Sequence, residues 1–528
     1  MTDSTSSDIK SGDITWATAV LRRHTPLFLS FHISGQTLDS IRRQTGLPVG
    51  FTHLRRCGLA LQYSQEELSA ARSIIHRQVA NLGLQFFEDF SRRCLSSCET
   101  LLQAAEKAGA QVRLQQVRPQ SGDGPALEAL LQPYFDAAIA QASLLSTMVI
   151  VQRELEAFLD RFVTVRITAD DRKAAGVSAA LKMTVKPTWE VLNLKGILDL
   201  GRVVQSQIID YNDWIIEDPV RLLVRMATDY PSIWERVASY ENDFGWMGRM
   251  YYAGEPISAA DIVLRLQNIL RHDCASRLTH INARREEQLA ERRRAIECVD
   301  DPEAQRLADI VASYIHLRSE RLDVFFIAHE RVIEALRAAG RTLGLARPDD
   351  IIFLDWREIS RALREGSSPA ELRACVDARR NGFEFVAVAG AVEWIPRAVS
   401  PQRQDAVRLT SDDDVVGVTA CGGRVRGIVR LVLTDRDMLD MTPGEILVTT
   451  STTPSLMLAV EKAAGIVTDE GGMLCHAAIV SREFDIPCVI GTDNATRRLR
   501  TGDTIDMSAG EGKVKIVSRA RPGVKPGR

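Results

Sequence analysis

The sequence has little that would tie the chain to a membrane, a polyanion or a disulfide framework. No apolar run reaches about 18 residues, so no transmembrane helix is expected. The start, Met1-Thr2-Asp3-Ser4-Thr5-Ser6-Ser7, is polar and lacks the apolar core of a signal peptide. A net charge of −3 and a pI of about 6.4 leave no electrostatic footprint for nucleic acid or an anionic membrane. The 9 cysteines are scattered without paired spacing, and Cys94 and Cys98, on one helix face, read as core thiols. The expected setting is a reducing cytoplasm. There is no Walker A sequence for binding nucleotide phosphates. What is present is ordinary globular material, 45% hydrophobic and 26% charged. At 528 residues it suffices for roughly three to four domain-equivalents.

Apolar residues recur at helical spacing over most of the first 396 positions. Residues 1–13 are expected to be disordered. Helical patterns cover Ser64 to about Gly109, Ala126 to about Phe162, and Trp189 to Tyr240, with breaks at Asp218-Pro219 and Tyr230-Pro231. Val163 to Val185 reads as a hairpin or a loop. Ser258-Ala259-Ala260-Asp261 has the form of a capping box and opens another helix. Asp301-Pro302 starts a long helix ending near Gly344. Residues 397–414 are polar and charged and read as a linker. From Val415 the pattern changes to short strands alternating with short helices, up to residue 518. Residues 519–528 are basic and rich in Pro and Gly, and read as a disordered tail. The expected architecture is a large all-α domain over 14–396, followed by a small α/β domain over 415–518.

Within the α/β region a single stretch stands out, Gly471-Gly472-Met473-Leu474-Cys475-His476-Ala477-Ala478-Ile479-Val480-Ser481. Two glycines let the backbone turn tightly and approach a ligand closely. Ile486-Pro487 ends the helix that follows, because a residue before proline is pushed out of the α region. His476 thus sits where a glycine loop becomes a helix, and the free N–H groups there favour an anion. Apart from Cys475, whose side chain should diverge from its neighbour's, no second ligand lies nearby at metal spacing, so no metal is expected. A nucleophilic imidazole beside an anion-binding backbone suits a phosphoryl group carried on nitrogen. A core histidine at a tight turn is the other reading.

The same stretch resembles the phosphohistidine swivelling domain of phosphoenolpyruvate-utilising enzymes, which include phosphoenolpyruvate synthase, pyruvate phosphate dikinase and rifampicin phosphotransferase. The resemblance rests on Gly471, Gly472, His476, Ala477, Arg482, Glu483, Ile486, Pro487 and Gly491. It extends to Gly444-Glu445-Ile446-Leu447-Val448, Thr453-Pro454, Ala463 to Asp469, Gly502-Asp503 and Gly512-Lys513-Val514. It implies that His476 is phosphorylated and that Gly471 and Gly472 cradle the phosphate. The dikinases usually have Thr two places before the histidine. Leu474 stands there instead, as in the rifampicin phosphotransferase branch, which implies an organic hydroxyl as acceptor. Arg347 to Leu354 with Arg357-Glu358-Ile359 resembles the gate that closes the family's helical domain.

The long helix after Asp301 carries Arg318, Arg321 and His329 on or beside its apolar stripe. Cations on such a face are costly unless paired or open to a cavity. Snorkelling or a salt bridge would account for them, and a core position would account for His329. The resemblance implies another role, with Arg318 and Arg321 beside the transferred phosphate; His329 is our candidate general base. No segment resembles the family's ATP-grasp domain or its phosphoenolpyruvate-binding barrel. The expected function is a phosphotransferase subunit charged on His476 by a separate ATP-grasp partner, which would hold ATP and Mg, and delivering to a small organic acceptor. A non-catalytic phosphocarrier or regulatory protein is the alternative, and a condensing enzyme that activates a carboxylate is a third.

Overall fold

A computed structural model describes the chain except residues 1–15, 22–23, 58–59, 116–123, 168–169, 171–176, 179, 184, 250–251, 253–254, 298–300, 381, 389–390, 397–414, 434–436, 438–439, 451–455, 461, 470–475, 485 and 521–528. The expected disordered N-terminus, the expected linker and most of the expected tail lie outside the described residues. The chain divides into two compact units. The first comprises residues 1–182, 249–255 and 294–400, and the second 183–248, 256–293 and 401–528.

The first unit is built on helices α1 (Pro26–Gly35), α2 (Leu38–Thr45), α3 (Gln65–Leu82), α4 (Leu84–Gln115) and α5 (Gly124–Phe162). Thr25, Thr37 and Ser64 cap the first three through their side-chain oxygens, each accepting an orphan N–H of the first turn. Gly83, at φ +56, separates α3 from α4 in a conformation that a side chain would strain. Further along the chain come helix α12 (Pro302–Thr342), numbered after the second unit's α6 to α11, then α13 (Trp356–Glu365) and α14 (Pro369–Arg380). Helix α12 packs along α4 and α5. The approach to α4 is close: a Cβ on Gly109 would lie 1.8 Å from the Arg331 carbonyl oxygen.

The expectation of an all-α region is corrected here. Strands β1 (Trp16–Leu21), β2 (His53–Cys57), β3 (Ala60–Ser64), β4 (Phe383–Val388) and β5 (Ala391–Pro396) form an antiparallel sheet in the order β1-β3-β2-β4-β5. The strands are short, and β2 pairs with β4, more than 300 residues away, Leu54 opposite Ala387 and Arg56 opposite Phe385. Such pairing leaves no local periodicity to read. By length and composition α5 is apolar enough to cross a membrane, but 67% of its most apolar window is buried inside the fold. Its polar residues Gln141, Ser143 and Thr147 are buried too. The stretch expected as a hairpin or loop begins instead as a π-helical turn, Val163–Ile167, continuing α5.

The second unit contains α6 (Trp189–Gln207), α7 (Tyr211–Ile216), α8 (Pro219–Asp229), α9 (Pro231–Phe244), α10 (Ala259–Ile269) and α11 (Cys274–Glu297), the last ending just beyond the unit's limit. The breaks fall where the two prolines predict them. The capping box is present, with Asp261 N–H donating to Ser258 Oγ and Ser258 N–H to Asp261. Its C-terminal region is an eight-stranded sheet of β6 (Val415–Val416), β7 (Val418–Cys421), β8 (Arg424–Leu431), β9 (Ile446–Thr449), β10 (Gly465–Thr468), β11 (Cys488–Ile490), β12 (Thr504–Ser508) and β13 (Lys513–Ser518), in the order β6-β13-β12-β8-β9-β10-β11-β7. Strands β8 to β11 run parallel and the outer strands antiparallel. Strands β9, β10 and β11 are buried on both faces, which is why they read as continuous apolar runs. Leu447 and Ile466 face one core, and Ile446, Val448 and Val467 the other. Short helices α15 (Met457–Val460), α16 (His476–Phe484) and α17 (Ala495–Arg498) complete it.

Candidate functional site

In an open parallel sheet, ligands gather beyond the carboxyl ends of the strands. Here β9 ends at Thr449 and β10 at Thr468, paired in register. The chain leaves β10 through Asp469 and returns as α16, whose first residue is His476. The structure therefore puts the start of α16 after the carboxyl end of a buried strand. Gly471 and Gly472 lie outside the described residues, as do Thr453 and Pro454. Ala477, Ala478 and Val480 anchor α16 on the sheet. Its last turn is held from two sides: Gln288 Nε2 of α11 donates to the Arg482 carbonyl oxygen at 2.9 Å, and Arg482 donates to the Ala420 carbonyl at 3.4 Å.

The strand ends are fixed by Asp469, a residue whose structural role the motif alone did not reveal. It is buried, and its carboxylate accepts from Thr492 Oγ1 at 3.1 Å, from Thr496 N–H at 3.1 Å and from the Thr496 hydroxyl. Its own N–H donates to the Thr449 carbonyl at 3.2 Å, and its carbonyl accepts from Asp493 N–H at 3.0 Å. One carboxylate thus caps α17 and pins the departure of the loop that leads to His476.

The other candidate residues lie in the first unit. Arg318 is half-buried and donates to Gln152 Oε1 on α5. Arg321 is 8% exposed, and its Nε has no hydrogen-bond partner among the described residues. Burial lowers its pKa, opposed by the neighbouring Tyr314, Cys94, Cys98 and Asp323. Gln141 Nε2 donates to its carbonyl at 3.0 Å. His329 is 1% exposed, its Nδ1 has no partner among the described residues, and burial pushes its pKa down to about 3, helped by Arg249 and Arg337. It is neutral at pH 7. At about 1.5 Å per residue, Arg321 and His329 are about 12 Å apart along α12, so one helix carries all three residues without gathering them at one point.

Two arrangements escaped the sequence reading. Tyr63 of β3 is hydrogen-bonded to His32 Nε2 of α1 and to Ser146 Oγ of α5, the latter at 2.5 Å. His32 is buried and its pKa is pushed down to about 4. The other arrangement centres on Tyr252. Its ring stacks on His329 at 3.9 Å between centroids and 14° between planes, and its hydroxyl meets that of Tyr134 at 2.9 Å. It is 1% exposed, and its φ is +63. For a bulky side chain that backbone costs on the order of 1–3 kcal/mol, recovered only where the surroundings hold it. Both arrangements join residues far apart in sequence, and periodicity carries no signal of them.

Residues 441–512 match the family described as PEP-utilising enzyme, mobile domain. Within the C-terminal α/β region, residues 441–512 are thus similar to the mobile domain of PEP-utilising enzymes. The chain is 32% identical over 181 residues to the uncharacterised phosphotransferase YvkC of Bacillus subtilis, covering 33% of this chain and 21% of that protein. It is 28% identical over 225 residues to the rifampicin phosphotransferase of Streptomyces sviceus, covering 41% and 25%. To a probable phosphoenolpyruvate synthase of Archaeoglobus fulgidus it is 43% identical over 111 residues, covering 20% and 15%. The alignments thus span a quarter or less of each of these relatives. The resemblance read from the sequence holds for this domain.

Proposed function

We propose that the chain is a phosphotransferase component that carries a phosphoryl group on His476. The observation that supports this most is the position of His476 as the first residue of α16, after the carboxyl end of β10, within the segment that matches the mobile domain. An imidazole nitrogen of His476 would form a P–N bond as the donor's P–O bond breaks. An acceptor oxygen would then attack, the P–N bond would break, and the acceptor's proton would pass to a base. Such transfers depend on positioning and cationic stabilisation. Arg321 is suited to the second task, because its buried guanidinium is not fully satisfied by the described residues. The donor would be a separate ATP-grasp protein holding ATP and Mg, and the acceptor a small organic hydroxyl bound by the first unit.

The experiment is to incubate the full chain with a candidate donor and ATP labelled at the transferable phosphate, and to look for acid-labile, base-stable label. His476→Ala should remove it; label persisting in that variant would refute the reading. One observation favours the plainer reading of a carrier without an acceptor site, namely the filled surroundings of His329.

A further inference from the structure

One edge of the C-terminal sheet sets two thiols face to face. Strands β7 and β11 run antiparallel, with Cys421 directly opposite Cys488. Opposed residues of an antiparallel pair have Cα atoms about 4.5 or 5.5 Å apart, depending on whether they exchange hydrogen bonds, and their side chains leave the same face of the sheet. A disulfide spans Cα separations of about 4.4–6.8 Å, so either kind of pair can be bridged with little movement of the backbone. Both residues are thiols in the structure. Cys488 lies in the core that Ala477, Ala478 and Val480 of α16 share, and Cys421 packs against that same core. More than 60 residues separate the two in sequence, so spacing carries no sign of the pair.

The surroundings hold this register and leave one thiol within reach of solvent. Cys421 is the last residue of β7, and the turn after it is Gly422-Gly423. Gly423, at φ +128, comes so close to the residue before Cys488 that an added Cβ would lie 2.7 Å from Pro487 Cγ. A Cβ on Gly422 would meet nothing within 4 Å, so the approach from that side is open. Cys421 is half-buried on a strand that ends the sheet, whereas Cys488 is 0% exposed. One is placed to meet a reagent from solution, the other to resolve what forms. The register then shifts: Val489 is opposite Thr419, which leaves Ala420 as a bulge. The Ala420 carbonyl is the group that accepts from Arg482 in the last turn of α16. The helix that begins with His476 is thus tied to β7 one residue from the thiol pair.

We infer that Cys421 and Cys488 form a reversible disulfide site, closed by exchange with small-molecule disulfides, that fastens edge strand β7 and with it the seat of α16. The Cys421 thiolate attacks one sulfur of a disulfide RSSR, whose S–S bond breaks; one RSH leaves and a mixed disulfide remains on Cys421. The Cys488 thiolate then attacks the Cys421 sulfur and expels the second RSH. Two protein thiols are oxidised, one RSSR is reduced, and the two thiol protons pass to the departing RS groups. A pair of this kind stays reduced in a reducing compartment and closes when the disulfide pool rises. The site stands whether or not His476 carries a phosphoryl group.

The test uses the full chain, first reduced and then incubated under native conditions with oxidised glutathione. Remaining thiols are alkylated in denaturant and the digest is read by mass spectrometry. The wild type should yield a cross-linked peptide joining Cys421 to Cys488, lost again after dithiothreitol. Recovery of both residues as alkylated thiols, or of Cys421 joined to another cysteine instead, would overturn the inference. Cys488→Ala removes the resolving thiol and should leave glutathione on Cys421; an unmodified Cys421 in that variant would also overturn it. Cys421→Ala should leave Cys488 without glutathione, because the buried thiol is reached only through its neighbour; glutathione on Cys488 there would overturn the order of attack. The wild-type digest decides even where a variant fails to fold. Hydrogen exchange on the wild type reads the fastening. Amides of β7 should exchange at least tenfold more slowly in the oxidised chain than in the reduced one, and equal exchange in the two forms would overturn the fastening of β7.

Discussion

The two candidate regions are made from different material. Around His476 the scaffold is backbone: strand ends in register, a helix start, and one carboxylate tying them together. Around His329 and His32 it is side chains from distant segments, buried together and stripped of water. Anchoring in backbone makes a place that any residue at the right register will occupy. Burial of titratable side chains makes a place whose stability depends on their protonation. The difference gives the two regions different responses to acid.

The largest expected effect follows from that difference. His32 titrates near 6.5 when unfolded and near 4 when folded, and His329 near 6.5 and near 3. Between those values the unfolded chain binds more protons, so their contribution is complete above about pH 6.5 and is lost as the pH falls towards 4 and then 3. At about 1.36 kcal/mol per pKa unit, His32 alone accounts for about 3 kcal/mol. Strands β9, β10 and β11 contain no histidine. Hydrogen exchange measured from pH 7.5 to pH 4.5, after correction for intrinsic rates, should show protection in α1 and α12 falling while that in β9 to β11 is kept. Equal loss in both would break the comparison.

That contrast also explains what could be read from the sequence. The mobile domain was legible because each element of its signal is local: glycines before His476, Ile486-Pro487 after its helix, and strands apolar throughout because both faces are covered. The long helices, with their breaks at Pro219 and Pro231, were legible for the same reason. The antiparallel sheet was not, because β2 finds β4 across more than 300 residues. Nor was the cluster around Tyr252, whose partners are on α1, α5 and α12. Arg321 and His329 could be singled out by their helical phase, but phase does not tell a buried cation from one that lines a cavity.

A second effect bears on the backbone side. Asp469→Ala deletes three hydrogen bonds and leaves the Thr496 N–H without its acceptor. An abandoned half-buried donor with its network costs about 1–3 kcal/mol. The loss should appear as earlier unfolding of the C-terminal sheet, with exchange in α12 unchanged. A destabilised α12 would show that the two regions do not behave separately.

Next in size is the exchange of Arg321 for an apolar chain of similar length. A buried guanidinium whose Nε has no partner among the described residues is expensive. Arg321→Met should therefore raise the stability of the first unit, by about 1 kcal/mol or more in a denaturant melt. If the arginine steadies the arriving phosphoryl group, the same variant should leave charging of His476 intact and slow onward transfer by roughly tenfold, about 1.4 kcal/mol of barrier. A gain in stability with unchanged transfer would assign Arg321 to structure alone.

The smallest effect tests whether a feature legible in sequence behaves as its local chemistry says. Ser258 caps α10, and its Oγ accepts from Asp261 N–H at 3.3 Å. Asp261 answers by accepting from Ser258 N–H at 2.9 Å and from its hydroxyl at 2.6 Å. All of these groups are exposed, so losing the cap returns them to water and leaves no buried orphan. Ser258→Ala should cost about 1 kcal/mol, in line with other N-caps. Ser258→Asp restores the acceptor, yet it sets a second carboxylate beside Asp261 and should recover only a fraction. The loss should be confined to the first turn of α10, read as faster exchange of the Asp261 and Ile262 amides. Ile262, Val263 and Leu266 are buried and hold the rest of the helix by packing. Loss of protection throughout α10 would mean that the cap, rather than that packing, sustains the helix, and the division between local and distant determinants would fail at its simplest point.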